Sequence, residues 1–158
     1  HAESFFSDNI YLSEYVNRCL STRVLYLKNI VSHGQWSGIN PFVVSENPIE
    51  NAKIAVLTRA RIRTRKVWQF WRQVGETSDA LYQFDELEYA VGIGELPLIY
   101  QATISVWSSI DSVNRYAYQH EAHKKVIQLA RKNNWYSEEL FARFYLEKEI
   151  YLCDSFNE

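Results

Sequence analysis

Methionine is absent from the 158 residues, and the chain opens on His1, so a segment upstream of His1 is expected. Cysteine is nearly absent as well. Cys19 and Cys153 stand far apart, which excludes both a disulfide framework and a cysteine-based zinc motif and makes a reducing cytoplasm the default. No apolar run approaches the ~20 residues of a membrane span, and no signal-peptide pattern stands at the start. A cytoplasmic location is therefore expected, with contact at a membrane surface left open. A basic excess is missing too. Seventeen Lys and Arg against nineteen Asp and Glu give a net charge of −2, which argues against a general nucleic-acid binder.

What is present is aromatic. Five Trp, eleven Tyr and eight Phe make up 15% of a chain long enough for one domain with a proper core. Rings supply core mass, and a surplus of them also suits a pocket for a large flat or conjugated ligand.

The spacing of apolar residues predicts a short helix over "NIYLSEYVNRCL" (9–20) and a strand over 23–31. "SHGQWSGINPF" carries Gly34, Gly38 and Pro41 and predicts a loop. "AKIAVLTRARIR" (52–63) is the clearest strand. In "TRKVWQFWRQV", Val67, Phe70, Trp71 and Val74 recur at helical spacing, and Gly75 suits the helix end. Extended chain leads into a second strand through "YQFDELEYAVGIGE", and "LIYQATISVW" (98–107) makes a third. Ser108 or Ser109 caps the next helical region, with Asp111 in its first turn, and that region runs to about Asn133. "ELFARFYLEKEIYL" supplies a last strand. The order from Ala52 is strand, helix, strand, strand, helix, strand, which is the ferredoxin-like split βαβ of an α+β fold with one antiparallel sheet. Residues 51–158 form that half. Residues 1–50 read as the remnant of a first half within one domain of 1–158.

Two groups of residues carry candidate chemistry. "YQHEAHKK" (118–125) sets His120 and His123 three apart, whereas the zinc protease pattern needs histidines four apart, and no further Cys or His lies nearby to complete a zinc site. Haem asks for less: one neutral imidazole and a wide apolar pocket. His123 shares a helical face with Val126, Ile127 and Ala130. In a helix unbroken from Ile110, His120 would sit mid-stripe instead. A hydrogen-bonded histidine at the edge of a core is the plain alternative for either. The second group is Arg59, Arg61, Arg63 and Arg65, at alternate positions and so expected on one strand face, with Ile54, Val56, Ala60 and Ile62 opposite. Four guanidinium groups cannot be buried unpaired. They read either as a wet strand end with acidic neighbours or as an anion site for carboxylates. Trp68, Trp71 and Trp107 are candidate pocket walls or ordinary core.

Four blocks together, "LTRARIRTRKVWQFW", "GIGELPLIYQATISVW", "AHKKVIQLARKNNWYSEELFARF" and "SHGQWSGINPF", resemble the spheroidene monooxygenases, the acyclic carotenoid ketolases. The likeness runs from near Tyr11 to about Leu146. The resemblance implies a dimeric α+β-barrel, haem as cofactor, and oxidation of a long apolar polyene by dioxygen with an electron donor. It also implies an N-terminal portion preceding His1. It points to His123, in its "AH" context, as the haem iron ligand, and to Arg59 and Arg63 as matching arginines. Arg61 departs from the pattern, and Tyr100 stands where the family often has histidine. On this reading Arg59 holds a haem carboxylate or steers bound oxygen, with Arg63 and Trp107 also lining the cofactor. A non-catalytic ligand-binding or dimerisation module on the same fold, and a cofactor-free oxygenase, are the alternatives.

Overall fold

The computed structural model describes residues 9–16, 18–73, 84–96, 98–119 and 121–152. The stretch Ile54–Ile62, with Ile54, Val56, Thr58 and Ile62 as strand formers, becomes β2 at the middle of a five-stranded sheet. The elements in chain order are α1 (Ile10–Val16), β1 (Thr22–Gly34), β2 (Ile54–Ile62), a 3-10 turn (Thr64–Lys66) running into helix α2 (67–73), β3 (Leu87–Glu95), β4 (Tyr100–Trp107), α3 (Ile110–Gln119), α4 (Glu121–Lys132) and β5 (Tyr136–Leu152). The sheet order is β1-β5-β2-β4-β3. β2 pairs antiparallel with both β4 and β5, and β3 pairs antiparallel with β4. Without β1 this is the ferredoxin-like order expected from the sequence.

The helix caps follow local chemistry. Ser109 Oγ accepts from the Ser112 amide at 3.2 Å, so Ser109 is the cap of α3. Asn9 Oδ1 accepts from the amides of Tyr11 and Leu12, both at 3.2 Å, at the head of α1. The expected helix over 64–75 is observed as far as residue 73, and residues 74–83 lie outside the described residues.

By contact the chain divides into residues 1–26 with 147–158, and residues 27–146. The first unit carries α1 and an Arg23–Glu149 ion pair, with Arg23 also over the Tyr151 ring and Lys148 over Tyr26. The second holds the main core. Ile54, Val56 and Trp107 on the sheet pack with Val113 of α3, with Phe84 and Tyr116 against them. A second cluster joins Ile62, Phe70 of α2, Ala130 of α4 and Trp135. These contacts put alternate β2 residues on the helix-covered face. Arg59 and Ala55 therefore point to the other face, in register with Leu140 and Phe144 of β5.

The four-arginine face needs a correction. The ladder ends at Ile62, the Lys66 amide bonds the Arg63 carbonyl, and Arg65 lies in the 3-10 turn rather than on the strand. Only Arg59 and Arg61 share the β2 face. A break in register sharpens the local geometry. Arg61 pairs with Glu138 but Ile62 pairs with Tyr136, so Ser137 is an extra residue. Tyr136 and Glu138 would share a face in a regular strand. The bulge turns Tyr136 to the helices, 6.1 Å from the Phe70 ring, and leaves Glu138 on the Arg59 face.

Candidate functional site

The sheet face away from the helices carries one buried cation. Arg59 is 6% exposed, and its Nη1 donates to Glu138 Oε1 in an ion pair. Its guanidinium carbon lies 4.9 Å from the Trp36 ring centroid and 5.5 Å from that of Tyr100. A guanidinium is weakly hydrated and stacks on aromatic faces, so two rings and a carboxylate together make its burial tolerable. Arg61 sits beside it, 5.3 Å from the same Tyr100 ring.

Trp36 reaches Arg59 because a tight hairpin brings it there. Trp36 and Ile39 form a bridge around Ser37 and Gly38, whose φ angles of 54° and 83° are those of a type I′ turn. The same turn aims two amides at the carboxylate: Ser37 N donates to Glu138 Oε1 at 3.0 Å and Gly38 N to Oε2 at 2.9 Å. Glu138 thus ties the hairpin to the sheet. The Arg59 hydrogen bond, followed by those of Gly38 and Ser37, pulls its carboxyl down to about 2 from the ordinary 4.5. Gly34, at the end of β1, lets the chain enter the hairpin. Its φ is +89°, and a Cβ there would fall 2.1 Å from the Glu139 carbonyl oxygen. Farther along, Phe42 meets Phe144 edge-on at 5.0 Å, so the segment after the hairpin covers more of this face.

The residues singled out from the sequence divide by location. Arg59 is buried within this cluster, neither a wet strand end nor a free cation. Arg63 is exposed, and its Nε donates to the Tyr136 carbonyl at 3.1 Å. Trp107 is in the helix-side core at 1% exposure, donating to Ser105 Oγ at 2.9 Å, with Tyr116 at 5.2 Å. Trp68 is exposed, and Trp71 Nε1 donates to the Leu98 carbonyl at 3.2 Å. His123 falls on α4, but its side chain lies outside the described residues, as does the whole of His120. Cys153 is outside them too, and Cys19 is a free thiol. Glu138 and Trp36 were not singled out from the sequence.

Arg59, Arg63 and Trp107 do not gather at one place in the described structure. The Arg59 charge is taken by Glu138, Trp107 is enclosed by side chains of the core, and Arg63 is at the surface. Among the described residues no group of three or more His, Cys, Asp and Glu is placed to hold a metal ion. No helix among them is long and apolar enough to cross a membrane.

No family model matches the chain. It is 37% identical over 127 residues to the spheroidene monooxygenase of Rhodobacter capsulatus, covering 79% of this chain and 53% of that protein. It is 32% identical over 143 residues to the spheroidene monooxygenase of Rubrivivax gelatinosus, covering 90% and 54%. The chain is a sequence relative of the spheroidene monooxygenases. It spans about half the length of these curated spheroidene monooxygenases. In fold it is similar to a solved structure from Nitrosomonas europaea, a candidate antibiotic biosynthesis monooxygenase. The TM-score is 0.50 at 6% identity, covering 70% of this chain and 98% of that one. The ferredoxin-like α+β fold is common to both.

Proposed function

We propose that the protein is an oxygen-dependent monooxygenase that inserts oxygen into a long apolar, carotenoid-like substrate. The observation that carries this is the 37% identity to a spheroidene monooxygenase over 79% of the chain. The Arg59–Glu138–Trp36–Tyr100 cluster supports a site on the sheet face away from the helices. The Arg59–Glu138 pair, covered by two rings, is a preorganised dipole of fixed direction beside which charge develops during oxygen chemistry. The half-exposed Ile93 on the same face suits either an apolar substrate or a second copy of the chain, and the reading includes a homodimer.

The reading carries haem as cofactor, with His123 as the iron ligand, and supplies no role for Arg59 toward that haem while Glu138 holds it. The test is turnover of an acyclic carotenoid by the full-length protein under isotopically heavy dioxygen, read by mass spectrometry. One heavy oxygen atom in the product supports a monooxygenase. Tight substrate binding without product favours the binding-module alternative. The absorption spectrum of protein from haem-replete cells tests the cofactor separately. A Soret band should be lost in His123→Ala and kept in His120→Ala, and turnover without any such band favours a cofactor-free oxygenase.

A further inference from the structure

The stretch from Asn51 to Gly75 contains no acidic residue, although the chain as a whole is acidic at −2. Within it, Arg63, Arg65 and Arg72 are exposed and Lys66 is half-exposed, all around the 3-10 turn and α2. Among these cations stands Trp68, at 79% exposure the most open large apolar side chain among the described residues of the segment. One turn on, Trp71 bonds the Leu98 carbonyl and so joins α2 to the β3–β4 turn. That turn displays Leu96 at 61% and Leu98 at 47% exposure. Both leucines have positive φ, 53° and 77°. Left-handed backbone is unfavourable for a leucine, and such strain gathers at functional places in a fold.

We propose that this end of the sheet, Trp68 with Leu96 and Leu98 rimmed by Arg63, Arg65, Lys66 and Arg72, docks on an anionic lipid bilayer surface. The chemistry is that of interfacial binding. An indole prefers the headgroup level, leucines enter the acyl boundary, and cations meet acidic headgroups. Charge complementarity selects the lipid: Arg63, Arg65, Lys66 and Arg72 outnumber the adjoining acids Glu76 and Glu95 by four to two. The proposal is independent of the oxygenase reading, since binding is measured without turnover.

Sedimentation of the full-length protein with vesicles tests it, comparing phosphatidylcholine alone with phosphatidylcholine containing about a third phosphatidylserine. Binding is expected only with the anionic lipid and is weakened by salt. Arg65→Gln with Lys66→Gln should reduce the partition coefficient roughly 25-fold, about fivefold for each cation removed. Trp68→Ser with Leu96→Ser should reduce it at least about tenfold by removing the inserted apolar area. Arg115→Gln changes a cation that pairs with Glu86 near the opposite end of β4, and it should bind like wild type. All of these positions are exposed or half-exposed, and an unchanged circular dichroism spectrum confirms the fold. Equal binding to both vesicle types, or an equal loss in Arg115→Gln, overturns the proposal. Binding to polyglutamate but not to vesicles also overturns it, in favour of an acidic protein partner.

Discussion

On the helix side of β2, Ile54, Val56 and Ile62 meet Trp107, Val113, Phe70 and Trp135, and closure comes from apolar area. On the other side Arg59 meets a carboxylate, two rings and a hairpin whose amides hold that carboxylate. The first face depends on the volume and interdigitation of its side chains. The second depends on charge, direction and unusual backbone as well. Where a buried cation, its carboxylate and a left-handed turn are set among the apolar side chains of Leu140 and Phe144, a role beyond stability is the better explanation.

The largest expected effect breaks the first face. Trp107→Ala should cost about 3–5 kcal/mol of folding stability, as large-to-small changes of a buried aromatic do. Tyr116, whose hydroxyl is pushed up to about 12 by burial, shares that core and does not ionise near neutrality. The Trp107→Ala deficit, read by urea denaturation, should therefore stay constant from neutral to acid pH.

Gly34→Ala attacks the second face through its backbone. The added Cβ would meet the Glu139 carbonyl at 2.1 Å and demand a φ of +89° from alanine. A loss above ~2 kcal/mol is expected, the left-handed cost plus displacement of β5 backbone. A loss smaller than this would show that the hairpin entry is freer than the packing implies.

Acid should separate the faces. The Glu138 carboxyl ionises at about 2 in the folded chain, below its ordinary 4.5. A depressed acid stabilises the fold in full above its unfolded value and loses that contribution as pH falls through the folded one. The stability gap between wild type and Glu138→Gln should thus be widest above about 4.5 and narrow toward about 2. A gap that is flat across this window would mean that Arg59 and the turn amides do not hold the carboxylate.

The fold was legible because periodicity and caps are local. "AKIAVLTRARIR" reads as a strand from its own residues, Ser108 or Ser109 as a cap from their place before Asp111, with the structure choosing Ser109, and the element order then limits the topology. The site was legible only in part. Arg59 stood out by alternation, but its partner Glu138 lies 79 residues away, and no spacing rule links them. The bulge at Ser137 that points Glu138 at Arg59 has no sequence mark, because "YSEEL" alternates no differently from a regular strand. Arg65 was misplaced for a related reason. Alternation continues in the letters after the ladder has ended, and the end is set by hydrogen bonding to Trp135 and Tyr136. "WSG" did announce a turn, yet nothing local says that its amides would face a carboxylate.

The smallest expected effect tests whether the turn matters through its amides or through its glycine. Gly38 has a φ of +83°, but a Cβ there would meet nothing within 4 Å. Gly38→Ala therefore pays only the left-handed penalty, about 1 kcal/mol, and keeps the N–H that bonds Glu138. Gly38→Asn should cost less still, because asparagine tolerates that conformation. Both variants should retain the acid-dependent gap against Glu138→Gln. Gly38→Pro removes the donor and, with φ locked near −65°, the left-handed turn as well, so the gap and the hairpin should be lost together. If Gly38→Ala erased the acid dependence while the fold persisted, backbone shape rather than amide direction would be what holds Glu138, and the hairpin would be a steric cover rather than a polar clamp.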